Sequence, residues 1–161
     1  MAQRVPDQRW RRSTRGGWLA LALLLGSSGC GGCGGGGAKF APAPPPGTLE
    51  GNLEAICNAY NKAYRELNRA PKSLDEFKTF LKHYGDPAQL MISPRDGEEF
   101  VIVLGANPNQ EPTPANPQIV AYEKVGKDGT RYTINPIGAI ATFTNEQLSR
   151  VRFPKGHKPP G

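Results

Sequence analysis

Thr48–Leu67 reads TLEGNLEAICNAYNKAYREL, and this stretch decides the fold. Leu49, Leu53, Ile56, Tyr60, Ala63, Tyr64 and Leu67 recur at helical spacing and make one apolar face of a helix of about five turns. Glu50, Glu54, Lys62 and Arg65 fall elsewhere on the wheel, acids early and bases late, which suits the helix dipole. Cys57 sits at the edge of the stripe and reads as a small core residue. Pro71 is expected to end the helix, because the residue before a proline avoids helical angles.

Working towards the C-terminus, Ser73-Leu74-Asp75-Glu76 is a capping box that opens a second, short helix. Leu74, Phe77 and Phe80 or Leu81 are expected to face inward. Gly85 is the expected stop, and Asp86-Pro87 reads as a break. The period then changes from helical to alternating. Phe100–Leu104, FVIVL, is apolar on both alternations and is expected to be a central strand. Ser93-Pro94-Arg95-Asp96-Gly97 precedes it as a turn. Ile119–Glu123 and Thr130–Asn135 are strands joined through Gly126-Lys127-Asp128-Gly129 as a hairpin. Ile137–Phe143 is a fourth strand. Thr144-Asn145-Glu146-Gln147 then starts a terminal helix with Leu148 and Val151 inside. The fold class is therefore α+β: a long helix and a short one packed on an antiparallel sheet of about four strands, with a short C-terminal helix. The single globular domain spans 48–153, and 154–161 is expected to be a disordered, frayed tail. The loop from Ala106 to Gln118 holds four prolines and three asparagines and is long enough to be either functional or mobile.

Working towards the N-terminus, the character changes again. The chain has 161 residues, 20 Lys+Arg and 14 Asp+Glu, for a net charge of +6. Residues 1–30 carry five Arg and one Asp, a net of +4, which leaves only +2 for residues 31–161. The positive charge thus belongs to the leader, which argues against a nucleic-acid-binding face. Arg9, Arg11, Arg12 and Arg15 form a positive region, Trp18–Leu25 (WLALALLL) an apolar run, and Gly26, Ser27, Ser28 and Gly29 a small-residue cleavage region. That order is a signal peptide over 1–29. The run is far short of the ~20 residues that span a bilayer as a helix. The apolar residues that usually follow a twin-arginine pair are missing after Arg11-Arg12. Cys30 comes next, and Gly31–Gly37 with Ala41–Gly47 (APAPPPG) make a flexible and then a stiffer tether, so 30–47 is a lipidated Cys and its spacer.

Gly29-Cys30 resembles the end of the lipobox of bacterial lipoprotein precursors. The resemblance implies acylation at Cys30, with palmitate-type chains holding the protein on a membrane. Ser27 stands three residues before Cys30 where that family usually has Leu. Ser27 and Gly29 also fit an ordinary small-x-small cleavage site, which would give a periplasmic or secreted protein. Gly31 after Cys30, where many retained inner-membrane lipoproteins have Asp, implies delivery to the outer membrane. A rival reading takes Cys30-Gly31-Gly32-Cys33 as a thiol pair. No second Cys pair completes a zinc site and no βαβ pattern surrounds it.

Arg69–Phe77 (RAPKSLDEF), Ser93–Phe100 (SPRDGEEF), Ala121–Lys124 and Lys127-Asp128-Gly129 resemble the soluble heads of type II secretion pseudopilins. Those heads have a long helix followed by an antiparallel sheet. The long apolar N-terminal helix of pilin-like subunits is replaced here by the lipoprotein-like signal and tether, so the resemblance implies a head fold and not pilus assembly. Such heads can bind calcium through loop carboxylates. Asp128 matches only the turn, and no oxygen-ligand array accompanies it.

Catalytic motifs are absent from the sequence: there is no H-E-x-x-H, G-x-S-x-G or phosphate loop. His83 reads as a helix-end residue and His157 as a solvated tail residue. Glu98 and Glu99 are adjacent on a strand and point to opposite faces. Tyr60 and Tyr64 lie one turn apart and read as core, with a partner-facing aromatic surface as the alternative. No catalytic residue, metal, cofactor, nucleic-acid partner or small-molecule substrate is expected. The reading is a non-enzymatic interaction module, anchored at the cell envelope through Cys30, with an envelope protein as partner. The alternatives are a structural envelope lipoprotein without a specific ligand and a soluble exported thiol-redox protein using Cys30 and Cys33.

Overall fold

The computed structural model describes residues 43–113 and 116–159. The long apolar face forms α1, Leu49–Leu67. Thr48 caps it by accepting the Gly51 N–H at 3.1 Å, and the Thr48 hydroxyl donates to the Pro45 carbonyl at 2.7 Å. A Cβ on Gly51 would stand 2.3 Å from the Pro45 oxygen, so only glycine lets the proline-rich segment fold back on the first turn. Asn52, 2% exposed, fixes the same segment. Its Oδ1 accepts the Gly47 N–H at 3.0 Å, while its Nδ2 donates to the Ile92 carbonyl at 3.0 Å. Pro45–Gly47 thus contact α1, ahead of the expected boundary at Thr48. At the other end the helix stops earlier than Pro71. Asn68 adopts a left-handed conformation (φ 52°, ψ 28°), one of the few non-glycine residues that ends a helix this way.

α2, Leu74–Leu81, lies against α1, with the Tyr60 and Phe77 rings 6.2 Å apart. Phe77 and Leu81 are the buried pair, and Phe80 is only partly covered. Ser73 caps the helix as expected, accepting the Glu76 N–H at 3.1 Å. Glu76 does not complete the box. Its carboxylate takes a two-pronged bond from Arg69 (2.7 and 2.9 Å) and the Lys72 N–H (2.7 Å). The Arg69 guanidinium, with the Lys72 N–H, holds the Glu76 pKa down to about 2. Asp86-Pro87 follows the break, as expected, and also starts a new helix: α3, Pro87–Leu90, has Asp86 as its cap and proline at its first position.

The sheet has four antiparallel strands in the order β1-β2-β3-β4: Val101–Ile102, Ala121–Tyr122, Thr130–Ile134 and Ile140–Thr144. The architecture is α+β. FVIVL is an edge strand, not a central one. Its apolar content on both alternations reflects cover: Ile102 and Val103, on opposite faces, are both buried, and the Tyr60 hydroxyl reaches the Val103 and Ala106 carbonyls at 3.0 Å each. The β2–β3 turn places Asp128 and Gly129 at φ 54° and 71°, the left-handed pair that matches hairpin twist. β4 begins at Ile140 rather than Ile137, because Asn135 accepts the Ile137 and Ala139 N–H groups and holds the intervening residues in a turn. α4, Asn145–Ser149, opens with a complete Thr144–Gln147 capping box.

Alternation puts Ala121 and Ile134 on one sheet face and Tyr122, Thr133 and Arg131 on the other. α1 covers the first. The second is covered by the chain after α4: the Phe153 and His157 rings lie 5.8 Å from that of Tyr122, and Tyr122 is fully buried. Within 154–161, expected to fray, His157 is docked: its ring joins that of Phe153, the last residue of the expected domain, on a face that α1 leaves open.

Gly51 generates a prediction with an unusual sign. In an open helix Gly→Ala raises stability by up to about 1 kcal/mol. Here Gly51→Ala is expected to lower the melting temperature, by driving Pro45–Gly47 off the helix, as thermal unfolding monitored by circular dichroism will show.

Candidate functional site

Cys30 and Cys33 lie outside the described residues, as do the leader and the glycine run. The third cysteine, Cys57, is a buried free thiol. It donates to the Asn135 carbonyl at 3.3 Å, and burial pushes its pKa up, so it is held as a core group and not as a nucleophile. His83 is exposed beyond the end of α2. Tyr60 is buried, whereas Tyr64, expected on the same face, is half-exposed.

The two turn motifs meet in space around a residue that the strand pattern did not single out. Glu123 follows the apolar Ile119–Tyr122 run and is 0% exposed. Its carboxylate accepts from the Ser93 hydroxyl at 2.8 Å, from Arg95 Nη1 at 2.7 Å and from the Tyr132 N–H at 2.8 Å. Arg95 also donates to the Thr130 hydroxyl at 2.9 Å and lies 4.9 Å from the centre of the Tyr132 ring. Asp96 accepts the Gly126 N–H at 2.6 Å and the Glu98 N–H at 3.0 Å. Burial alone would raise the Asp96 pKa, but these N–H groups outweigh it and leave it lowered. Ser93, Arg95 and Asp96 therefore clasp the turn before β1 onto the β2–β3 hairpin. The clasp is a fold element, since Ser93 and Glu123 are sealed from solvent and spend their bonding capacity on each other and on their neighbours. Sequence distance hid it: Glu123 lies 28 residues from Arg95 and 30 from Ser93.

On the opposite sheet face, the Tyr122 hydroxyl lies 3.0 Å from His157 Nε2, and burial pushes the Tyr122 pKa up to about 12, against the pull of Arg131. Arg131 is 4% exposed, and its Nε and Nη1 have no hydrogen-bond partner among the described residues. The docked segment thus rests on a face that already carries an uncompensated desolvation cost.

Among the described residues, several surface features are open to a ligand or partner, two of them beside α1 and α2. A groove of about 610 Å³ beside α2 and α3 carries both signs of charge, from Asp75, Lys78, Lys82, Asp86 and Glu99. A recess of about 310 Å³ is lined by Asn58, Asn61, Tyr64, Arg65, Pro108 and Asn109. It joins the exposed side of α1 to the long loop. The loop is locally ordered there: Asn107 Oδ1 accepts the Asn109 N–H at 3.0 Å and its carbonyl accepts the Gln110 N–H at 3.1 Å. The two features left with alternative readings in the sequence, Tyr64 and the 106–118 loop, line one recess.

The chain matches no family model, and no curated protein and no solved structure is significantly similar to it.

Two predictions follow from the clasp and the docked segment. Glu123→Ala strands Arg95 and Ser93 and is expected to cost about 3 kcal/mol or more in urea unfolding. Lys124→Ala, which removes only an exposed pair with Glu98, is expected to be near neutral. His157 is the second case. Its burial holds the ring pKa below its ordinary 6.5, so the fold favours the neutral ring. Its contribution is complete above that ordinary value and is lost as pH falls through the folded-state value. The protection of the 153–157 amides against hydrogen exchange, taken relative to the intrinsic rate at each pH, is expected to fall as pH is lowered below 6.5, and His157→Gln to flatten that dependence.

Proposed function

We propose that this chain is an exported cell-envelope protein, acylated on Cys30, whose head is a non-enzymatic interaction module for an envelope protein partner. The observation that carries this reading is the order of segments before the head. An arginine-rich region, the apolar Trp18–Leu25 run and small residues end at Cys30, and a glycine- and proline-rich spacer follows. Each buried acyl CH₂ contributes about 0.8 kcal/mol, so more than one chain on a single cysteine anchors firmly. A helical span is not needed for that, and no helix among the described residues is long and apolar enough to cross a membrane.

The spacer gives the anchor a mechanical consequence. Proline-rich composition favours an extended chain and glycine-rich composition a flexible one, so the composition of 30–47 suits a spacer between anchor and head. The open recess beside Tyr64 and the charged groove beside α2 are surfaces available to one. Delivery to the outer membrane is part of the proposal, on the strength of Gly31 after Cys30.

Cys30→Ser is expected to move the protein from the membrane fraction to the soluble fraction, while Cys33→Ser leaves it membrane-bound. Cross-linking on membranes is expected to recover a discrete partner. Membrane retention of the Cys30→Ser chain would overturn the anchor. A head that cross-links to nothing across growth conditions would overturn the interaction role. A redox activity lost in Cys33→Ser would favour the thiol reading instead.

A further inference from the structure

The recess beside α1 has a lining whose chemistry selects a ligand class. Asn58, Asn61 and Arg65 stand at positions that share one side of the helix, with Tyr64 beside them, and Pro108 and Asn109 close the recess from the loop. Among the described residues, the side-chain amides of Asn58 and Asn109, the Tyr64 hydroxyl and the Arg65 guanidinium have no hydrogen-bond or ion-pair partner in the protein. Asn61 spends its Nδ2 on the Pro136 carbonyl at 2.8 Å, which fixes the side chain and leaves its Oδ1 as an acceptor. No carboxylate or histidine lines the recess, so it is not built for a cation. A single arginine without a second cation or a helix N-terminus makes a poor phosphate site. The apolar part is one phenol ring and one proline ring, too little for an acyl chain.

What remains is a ligand that is rich in hydroxyls and has an apolar C–H face. The amides of Asn58 and Asn109 each offer a donor and an acceptor side by side, which matches hydroxyl groups that also do both, and Asn61 adds an acceptor. The negative face of an aromatic ring attracts polarised C–H groups. The volume of about 310 Å³ lies at the lower edge of the range of ligand sites and has room for a single saccharide unit with its linkages. We infer that this recess binds a sugar unit of a glycan, with Tyr64 as the stacking platform and Asn58, Asn61, Arg65 and Asn109 as hydroxyl partners. The inference goes beyond the envelope reading and stands whether or not Cys30 is acylated.

The test is calorimetric titration of the full chain, solubilised in detergent, with a trimer of N-acetylglucosamine and, separately, with maltotriose. At least one probe is expected to bind, with a Kd between about 0.1 and 5 mM. Tyr64→Ala and Asn109→Ala are each expected to weaken that binding about tenfold, and Tyr64→Phe by less than about threefold, because the ring is kept. Both positions are at least partly exposed, and unchanged melting temperatures will show that folding is intact. The Cys30→Ser chain is expected to bind as tightly as the parent, which separates this site from the anchor. No heat with either probe at about 10 mM, or equal binding by parent and Tyr64→Ala, would overturn the inference.

Discussion

A carboxylate sealed from water must be satisfied where it stands, and Glu123 sets that constraint for this head. A buried ion that loses its partner costs several kcal/mol, so the groups that satisfy Glu123 cannot be exchanged independently. Ser93 and Arg95 come from the turn before β1, and the Tyr132 N–H comes from β3. One side chain therefore fixes the approach to an edge strand of only two residues onto the hairpin beside it. The bond from Asp96 to the Gly126 N–H closes the same arrangement from the other direction, and Gly126 is indispensable to it. A Cβ there would meet the Thr130 oxygen at 2.2 Å. Short strands register poorly by backbone pairing alone, and the polar clasp supplies the missing specificity.

Asn52 plays the matching part at the start of α1, where it joins Gly47 of the spacer to the segment after α3. The spacer therefore meets the head at a defined place. At about 1.5 Å per residue, Asn58–Arg65 lie about 9–20 Å along α1 from Asn52. The helix that supplies the core face also carries, on its open side, the polar row that ends in the recess. Tyr64, four residues on from the sealed Tyr60 and about 40° round the helix, stands at the border between the core face and that polar row, and is half-exposed.

What the sequence made legible was local. The α1 face, the Ser73 and Thr144 caps, the Asp128-Gly129 turn and the α+β order rest on neighbours within a few residues, and the structure reproduces them. Asp86-Pro87 read as a break, and the helical run is interrupted there, but cap-then-proline is also a starting signal and α3 went unread. The rank of FVIVL was misread because burial on both faces does not distinguish a covered edge from a centre. Glu123, Asn52 and the docking of Phe153 and His157 were illegible because each depends on a partner some 30 to 40 residues away. The recess was half legible, since Tyr64 and the proline-rich loop each stood out singly but nothing in the sequence joined them.

Anchorage through Cys30 is tested most directly by the intact mass of the protein recovered from its native membrane fraction. A chain that begins at Cys30 and carries the added mass of acyl groups is the predicted result. An unmodified chain with Cys30 and Cys33 free or joined in a disulfide would contradict it.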